Sequence, residues 1–302
     1  MIGPGQVRAV QPGDPIAIAA PAGPVDPRIL AEGEDWLRGL GFEVRRRSDL
    51  LDRDGYLAGD DARRADEWME WIEDGEVAGI VCARGGYGCH RIMDRLDPEA
   101  VARAAKPIIG YSDVTTLLLW QWRQCDLMGF HGPMLDRGRA LTEESRESLG
   151  RALRGEELGR LEGTATCGGR AQGRLMGGSL SLLVASLGTP WEIDTDGAIL
   201  MLEEIAEQPY RIDRMLQQLR FAGKLEGLVG VGIGQMVDCE GTRYPVPTAE
   251  QVLSGFFEPL GVPVVADLPF GHCDRHLAWP LGGLAVVDGD RGSVEMLDRA
   301  AA

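Results

Sequence analysis

The chain has 302 residues, a length that suggests two domains or one large one. Hydrophobic residues make up 44% and charged residues 26% of it, which is the composition of a folded globular protein. Its 31 Lys and Arg residues are outnumbered by 47 Asp and Glu residues, giving a formal net charge of -16. Phosphate-rich surfaces bind proteins that offer cationic side chains, so this charge argues against nucleic acid and anionic membrane as partners.

The cysteines and the N-terminal segment indicate a compartment. The six cysteines show no C-x-x-C pair and no regular spacing, which predicts reduced thiols in the cytoplasm. The first residues have no apolar core of a signal peptide, and no run of 18 apolar residues occurs. We therefore expect neither secretion nor membrane insertion.

The first half alternates short apolar runs with amphipathic stretches, a pattern typical of β-α-β units around a parallel sheet. Strands are predicted at 15–20, 77–83 and 106–110, and helices at 26–40, 61–74, 89–96 and 114–123. The last two strands run into the turns RGGYG and GYSD. Ligands bind beyond the carboxyl ends of such strands, so a site is expected there.

The second half predicts a second domain. After a helix at 143–153 the pattern weakens, so we predict an N-terminal α/β domain at 1–157, a linker at 158–172 and a C-terminal α/β or β-rich domain at 173–302. The last domain is predicted to hold helices at 179–187, 210–222 and 248–260, strands at 198–202, 228–234 and 262–266, and a terminal β pair at 284–296.

Ser112 lies in the turn between a predicted strand and a predicted helix, in the segment GYSD. A serine at such a turn exposes its hydroxyl at a helix N-terminus, where main-chain N–H groups stabilise negative charge, and this suits a nucleophile. The closing glycine of G-x-S-x-G is absent. The alternative is that Ser112 or Asp113 only caps the helix.

A serine nucleophile needs a base, usually an imidazole oriented by a carboxylate. The chain has four histidines, at 90, 131, 272 and 276, and the residues alone leave the choice between them open. The acid candidates are Glu203 and Glu204, which point to opposite faces of a strand. The segment HCDRH could suggest a metal, but nearby Pro and Gly residues argue against a shared helical face, so we expect no metal.

The glycines of RGGYG let the backbone approach a substrate and aim N–H donors at developing charge. They could instead hold a phosphate, but neither G-x-G-x-x-G nor the Walker pattern is present. An oxyanion-stabilising turn is therefore the stronger interpretation, and no cofactor is expected.

Seven blocks follow one another along nearly the whole chain: AAPAGP, RGGYG, KPIIGYSDVT, GFHGPM, GRLMGGSLSLL with LGTPW, LEEIAEQPYRIDRML, and LPFGHCDRHLAWPLG. Together they resemble the LD-carboxypeptidase family, peptidase family S66. The resemblance implies a two-domain α/β serine peptidase, usually a homodimer, with its active site between the domains.

By motif, the resemblance implies that Ser112 is the nucleophile, His272 the base and Glu203 the orienting acid. It assigns the oxyanion hole to the main-chain N–H groups of Asp113 and of the RGGYG turn, with Gly86 as the best candidate.

Further residues are implied to line the substrate cleft. These are Arg84, Tyr87, Gly178 and Ser179. Relatives often have Asn where Ser179 stands, which leaves that contact open without touching the triad.

The implied substrate is a muropeptide whose stem is L-Ala, D-Glu, meso-diaminopimelate and D-Ala, cut before the terminal D-Ala in cytoplasmic peptidoglycan recycling. One alternative is the microcin-immunity branch, which cleaves peptidyl or aminoacyl nucleotide analogues with the same triad; its members are generally longer in the second domain. A second alternative is a non-catalytic muropeptide binder, against which the presence of all three triad residues argues.

Overall fold

The computed structural model describes residues 5–241 and 247–297. These residues form two units, one of residues 5–158 with 274–281, and one of residues 159–241, 247–273 and 282–297. The chain passes from the first unit to the second after residue 158. The segment 274–281 belongs to the first unit again, whereas the predicted boundaries place it in the C-terminal domain. Residues 1–4, 242–246 and 298–302 of the predicted domains lie outside the described residues.

The first unit is built on a six-stranded sheet, ordered β12-β5-β4-β3-β1-β2. Its strands are β1 Pro15–Ala19, β2 Glu43–Arg45, β3 Gly79–Cys82, β4 Ile108–Gly110, β5 Gly129–His131 and β12 Trp279–Leu281. All neighbours are parallel except β12, which pairs antiparallel with β5. The predicted parallel α/β sheet is confirmed, and the turns after β1, β3 and β4 lie at its carboxyl edge.

Helices connect these strands: α1 Pro27–Gly39, α2 Asp61–Glu73, α3 Pro98–Ala104, α4 Thr115–Cys125 and α5 Glu143–Leu153. Helix α2 begins at a proper cap, since the Asp60 carboxylate accepts the Arg63 N–H. The apolar side chains of Ala65, Trp68 and Ile72 are buried on its inner face. The same helix also buries charged Arg64 and Glu67, so its inner face is partly polar.

The prediction of one helix at 89–96 is wrong. Two 3-10 helices, Cys89–Arg91 and Met93–Arg95, stand there instead. Gly88 enters the segment with φ +147°, and Ile92 to Leu96 turns towards the cap of α3 at Asp97, so no continuous α-helical ladder forms. The remaining 3-10 helices are Ser112–Val114, Leu135–Ala140 and Glu258–Leu260.

The second unit is built on an eight-stranded sheet, ordered β6-β14-β13-β8-β9-β10-β11-β7. Its strands are β6 Arg160–Glu162, β7 Thr164–Cys167, β8 Arg170–Ser179, β9 Ala198–Ile205, β10 Gly230–Val237, β11 Val264–Ala266, β13 Leu284–Asp288 and β14 Ser293–Met296. Strands β8 to β11 are parallel, and the other pairs are antiparallel. The helices are α6 Leu180–Ala185, α7 Pro209–Phe221 and α8 Ala249–Phe257.

Residues 158–172, predicted to be a linker, instead form β6, β7 and the start of β8. Strands β6 and β7 are the two outer strands of the sheet, and most of their side chains are exposed. An edge strand of this kind lacks the apolar alternation by which strands are identified.

None of the helices in residues 5–241 and 247–297 combines the length and apolar character needed to cross a membrane.

Lys106 precedes β4, and its ammonium donates to the main-chain oxygens of Trp71 and Asp74 at 2.6 Å each, at the end of α2. Burial lowers the pKa of Lys106 from 10.5 to about 8. At a pH between about 8 and 10.5, Lys106 carries its proton in the unfolded chain but has released it in the folded chain. The contribution of Lys106 to stability therefore rises with pH between about 8 and 10.5, and it does not change with pH below about 8.

We predict that, relative to Lys106→Met, the wild-type protein gains free energy of unfolding as the pH rises from about 8 towards 10. Urea unfolding of both proteins at the two pH values measures the difference. A difference that does not change with pH contradicts the prediction.

Candidate active site

Ser112 has a left-handed backbone, with φ +59°, and lies two residues after the end of β4. It begins the 3-10 helix Ser112–Val114, which leads into α4, and its side chain is partly exposed. Non-glycine residues in this conformation cost energy and are concentrated at functional sites. The turn has the strand-turn-helix form in which a nucleophilic serine is presented.

The capping alternative for this turn is wrong. Neither the 3-10 helix nor α4 has a side-chain cap hydrogen bond, so Ser112 and Asp113 do not cap them. The Asp113 Oδ2 atom instead accepts the main-chain N–H of Cys89 at 2.8 Å. Asp113 is 1% exposed, and burial raises the pKa of its carboxyl group. This contact ties the serine turn to the glycine-rich turn after β3.

The glycine-rich turn lies against Ser112. A Cβ atom on Gly85 would stand 2.8 Å from the Ser112 Cβ, so the position has room only for glycine. The Gly85 carbonyl accepts the Gly23 N–H at 2.9 Å. In a trans peptide the C=O and N–H point in opposite directions, so the Gly86 N–H points away from Gly23. Within the described part of the chain, that N–H donates to no protein acceptor.

The predicted cleft residues of this turn are exposed. The Arg84 guanidinium donates to the Pro24 main-chain oxygen at 2.7 Å. Tyr87 is 47% exposed and packs edge-on against Tyr56, with ring centroids 5.7 Å apart. Both side chains lie at the carboxyl edge of the first sheet, beside the Gly86 turn.

In the second unit, Glu203 and His272 form a hydrogen-bonded pair. The Glu203 Oε2 atom lies 2.8 Å from His272 Nδ1. Glu203 is fully buried near the end of β9, whereas the His272 side chain is 14% exposed. Since a carboxylate accepts, Nδ1 carries the proton, and in the neutral ring this leaves the Nε2 lone pair as a base.

Glu204 points to the other face of β9, as strand alternation predicts. Its Oε2 atom accepts the Ser181 N–H at 2.7 Å, and burial raises the pKa of its carboxyl group. The predicted cleft residues Gly178 and Ser179 are the last two residues of β8. Gly178 has φ +139°, and the 2% exposed Ser179 donates its hydroxyl to Glu204 at 3.5 Å. Glu204 therefore holds the start of α6 and the carboxyl end of β8.

The other histidines have different surroundings. His90 Nδ1 lies 3.2 Å from the Thr116 hydroxyl, and His131 and His276 are buried together with a 3.3 Å contact between ring nitrogens. Residues 271–275 form bends and no helix. No cluster of three or more His, Cys, Asp or Glu side chains suited to a metal occurs in residues 5–241 and 247–297.

Family models match both halves of the chain. The LD-carboxypeptidase N-terminal domain matches residues 16–132, and the LD-carboxypeptidase C-terminal domain matches residues 172–287. This chain belongs to the LD-carboxypeptidase family, peptidase family S66. Membership confirms both the predicted family and the predicted enzyme class.

Individual relatives agree with the family models. A probable murein peptide carboxypeptidase of Bacillus subtilis is 38% identical over 93% of this chain and 91% of its own length. The crystal structure of a muramoyltetrapeptide carboxypeptidase from Oxalobacter formigenes superposes with a TM-score of 0.84 at 28% identity, covering 93% of this chain and 97% of that one.

The microcin C7 self-immunity protein MccF, in complex with glutamyl sulfamoyl guanosine, superposes with a TM-score of 0.89, covering 99% of this chain and 100% of that one. Sequence identity is only 20%, so this likeness shows the shared fold.

Sequence reasoning missed four contributions to these sites. They are the contact of Gly85 with Ser112, the Asp113 carboxylate on Cys89, the role of Glu204, and the closeness of Gly271 to Glu203. The glycines carried a signal, because both stand beside predicted site residues. The carboxylate contacts depend on which chain segments meet, and a local pattern does not encode this.

Gly271 has φ +108°, and a Cβ atom there would stand 2.8 Å from Glu203 Oε2. We predict that Gly271→Ala displaces the Glu203 carboxylate from His272 and lowers carboxypeptidase turnover by on the order of 10²-fold while the fold is retained. Steady-state kinetics and circular dichroism measure the two effects.

The matched control is Gly255→Ala on α8, where a Cβ atom meets nothing within 4 Å. This variant should keep wild-type turnover and gain about 1 kcal/mol of stability, the usual effect of Gly→Ala in a helix. Equal turnover in the two variants would show that the Glu203–His272 contact is not needed.

Proposed function

We propose that this chain is a serine carboxypeptidase that hydrolyses the L,D-peptide bond of muropeptides and releases the terminal D-Ala of the tetrapeptide stem. The observation that carries the proposal is the 2.8 Å contact between Glu203 and His272, which leaves His272 Nε2 as a base. The left-handed Ser112 turn supports the assignment of the nucleophile.

In the proposed mechanism, His272 Nε2 takes the proton of the Ser112 hydroxyl as the oxygen attacks the scissile carbonyl. Glu203 holds the imidazole orientation and stabilises the imidazolium that forms. The proton then passes to the D-Ala nitrogen as the C–N bond breaks, leaving an ester on Ser112. Water attacks this ester by the same steps in reverse and frees the shortened peptide.

The proposed oxyanion donors are the main-chain N–H groups of Gly86 and Asp113. The Gly86 N–H has no protein acceptor in the described residues, and its peptide is fixed through the Gly85 carbonyl. A donor held in advance costs no reorganisation when charge develops, and removal of one such donor typically lowers turnover by about 10²–10³. We assign Arg84, Tyr87, Gly178 and Ser179 to contacts with the rest of the substrate.

The substrate class is supported by the relatives' names. The murein peptide carboxypeptidase of B. subtilis is 38% identical, whereas the microcin C7 self-immunity protein, solved with a sulfamoyl nucleoside, is 20% identical. A muropeptide therefore has more support than a peptidyl or aminoacyl nucleotide.

A cytoplasmic site of action fits the six free cysteines. The homodimer implied by the family resemblance stays a prediction.

We predict that Ser112→Ala and His272→Ala each abolish D-Ala release from L-Ala–D-Glu–meso-diaminopimelate–D-Ala, because loss of either group removes the nucleophile or its base. Mass spectrometry of the products measures the reaction. Ser48→Ala, at an exposed turn of the first unit, is the matched control and should keep wild-type activity. Retained activity in purified Ser112→Ala would rule out the assignment.

The same assay separates the alternatives. Tri-, tetra- and pentapeptide stems and an aminoacyl sulfamoyl adenylate are offered to the wild-type enzyme, and only the tetrapeptide should lose D-Ala efficiently. Preferred cleavage of the adenylate would place the chain in the immunity branch, and tight binding of tetrapeptide with no cleavage would make it a binder.

A further inference from the structure

Arg64 is fully buried on α2 and contacts two turns at the carboxyl edge of the first sheet. Its Nη1 atom donates to the main-chain oxygen of Pro21 at 2.6 Å and to that of Gly88 at 2.8 Å, and its Nη2 atom pairs with the Asp61 carboxylate. Pro21 follows β1, and Gly88 closes the glycine-rich turn. A buried charge is costly unless it is paired and hydrogen-bonded, so the surrounding turns are held to it.

The peptide unit between Gly88 and Cys89 is held from both sides. Its carbonyl accepts from the Arg64 guanidinium at 2.8 Å, and its N–H donates to Asp113 Oδ2 at 2.8 Å. Hydrogen bonds in such a chain polarise one another, because the peptide dipole lies between a cation and a carboxyl group. Since Asp113 directly follows Ser112, these contacts run without a break from α2 to the nucleophile turn.

The glycine at position 88 is fitted to this arginine. Its φ is +147°, and a Cβ atom there would stand 2.6 Å from Arg64 Nη1. The guanidinium therefore occupies the space that a side chain at position 88 would need, and the backbone approaches the charge directly.

We propose that Arg64 is a positioning residue, which acts through the Gly88–Cys89 peptide to hold the Asp113 and Gly86 amides where the oxyanion develops. This inference rests on the proposed function, because it uses the roles assigned to those two amides. Arginine suits the task, since one planar group reaches Pro21, Gly88 and Asp61 together. Lysine carries the charge on a single nitrogen and does not reproduce the fork.

Arg63 provides a matched comparison on the same helix. It is 9% exposed in its side chain and pairs with the buried Glu67 at 2.9 Å. It also donates to the Ala58 carbonyl at 3.1 Å. No contact from Arg63 to residues 84–89 occurs among its hydrogen bonds and ion pairs in the described chain. The two arginines thus share burial and charge but differ in their contact with the glycine-rich turn.

The test uses the full-length enzyme with Arg64→Lys and Arg63→Lys. For Arg64→Lys we expect kcat for D-Ala release to fall by on the order of 10²-fold with KM within about threefold, because the displaced donors act on the transition state. Hydrogen–deuterium exchange of the peptide spanning 85–89 should also become faster. Arg63→Lys should keep the wild-type kcat and the wild-type exchange rate at 85–89. Thermal unfolding of both variants measures the stability that each one loses.

Wild-type kcat in folded Arg64→Lys, or an equal loss of kcat in Arg63→Lys, overturns the proposal. Should Arg64→Lys fail to fold, Asp113→Asn weakens the same peptide from its other side, and unchanged kcat and unchanged exchange at 85–89 would overturn the proposal equally. If the wild-type enzyme releases no D-Ala, the proposed function fails instead, while the exchange comparison still decides whether Arg64 holds the turn.

Discussion

The site in the first unit depends on the left-handed backbone of Ser112, whose φ is +59°. A non-glycine residue in this region costs about 1–3 kcal/mol, so the surroundings must hold it there. Two glycines make this possible. A Cβ atom on Gly110 would stand 2.6 Å from Val114 Cγ1, and one on Gly85 would stand 2.8 Å from the Ser112 Cβ. With a side chain at either glycine, the turn would be pushed apart and the hydroxyl displaced.

In the second unit, the polar site residues also lie at the ends of parallel strands, within a mixed sheet. Parallel strands β8 and β9 run in register so that Ser179 and Glu203 are paired at their carboxyl ends. Gly271 leaves room for the buried Glu203 carboxylate, and His272 follows it directly. In both units, therefore, polar groups at the ends of parallel strands are fixed by contacts with the backbone of a neighbouring turn. Ligand sites of α/β sheets are found at such edges.

The short apolar runs of the first half, separated by amphipathic stretches, were sufficient to predict β1, β3 and β4 and a parallel sheet, because a strand buried on both faces is apolar along its whole length. Strand β12 was not predictable, since the pairing of Trp279–Leu281 with β5 joins segments about 150 residues apart. The burial of Arg64 and Glu67 could not be predicted for another reason. Charged residues on the inner face of α2 interrupt the apolar pattern, and only their partners on distant turns explain their burial.

Covalent labelling tests most directly whether the Ser112 hydroxyl is the activated nucleophile that we propose. The enzyme is treated with a fluorophosphonate probe, with and without excess tetrapeptide, and the modified residue is located by peptide mass mapping. We predict one modified serine, Ser112, protected by the tetrapeptide, because only a hydroxyl beside a base reacts readily. An unlabelled protein, or a label on another serine, would contradict it.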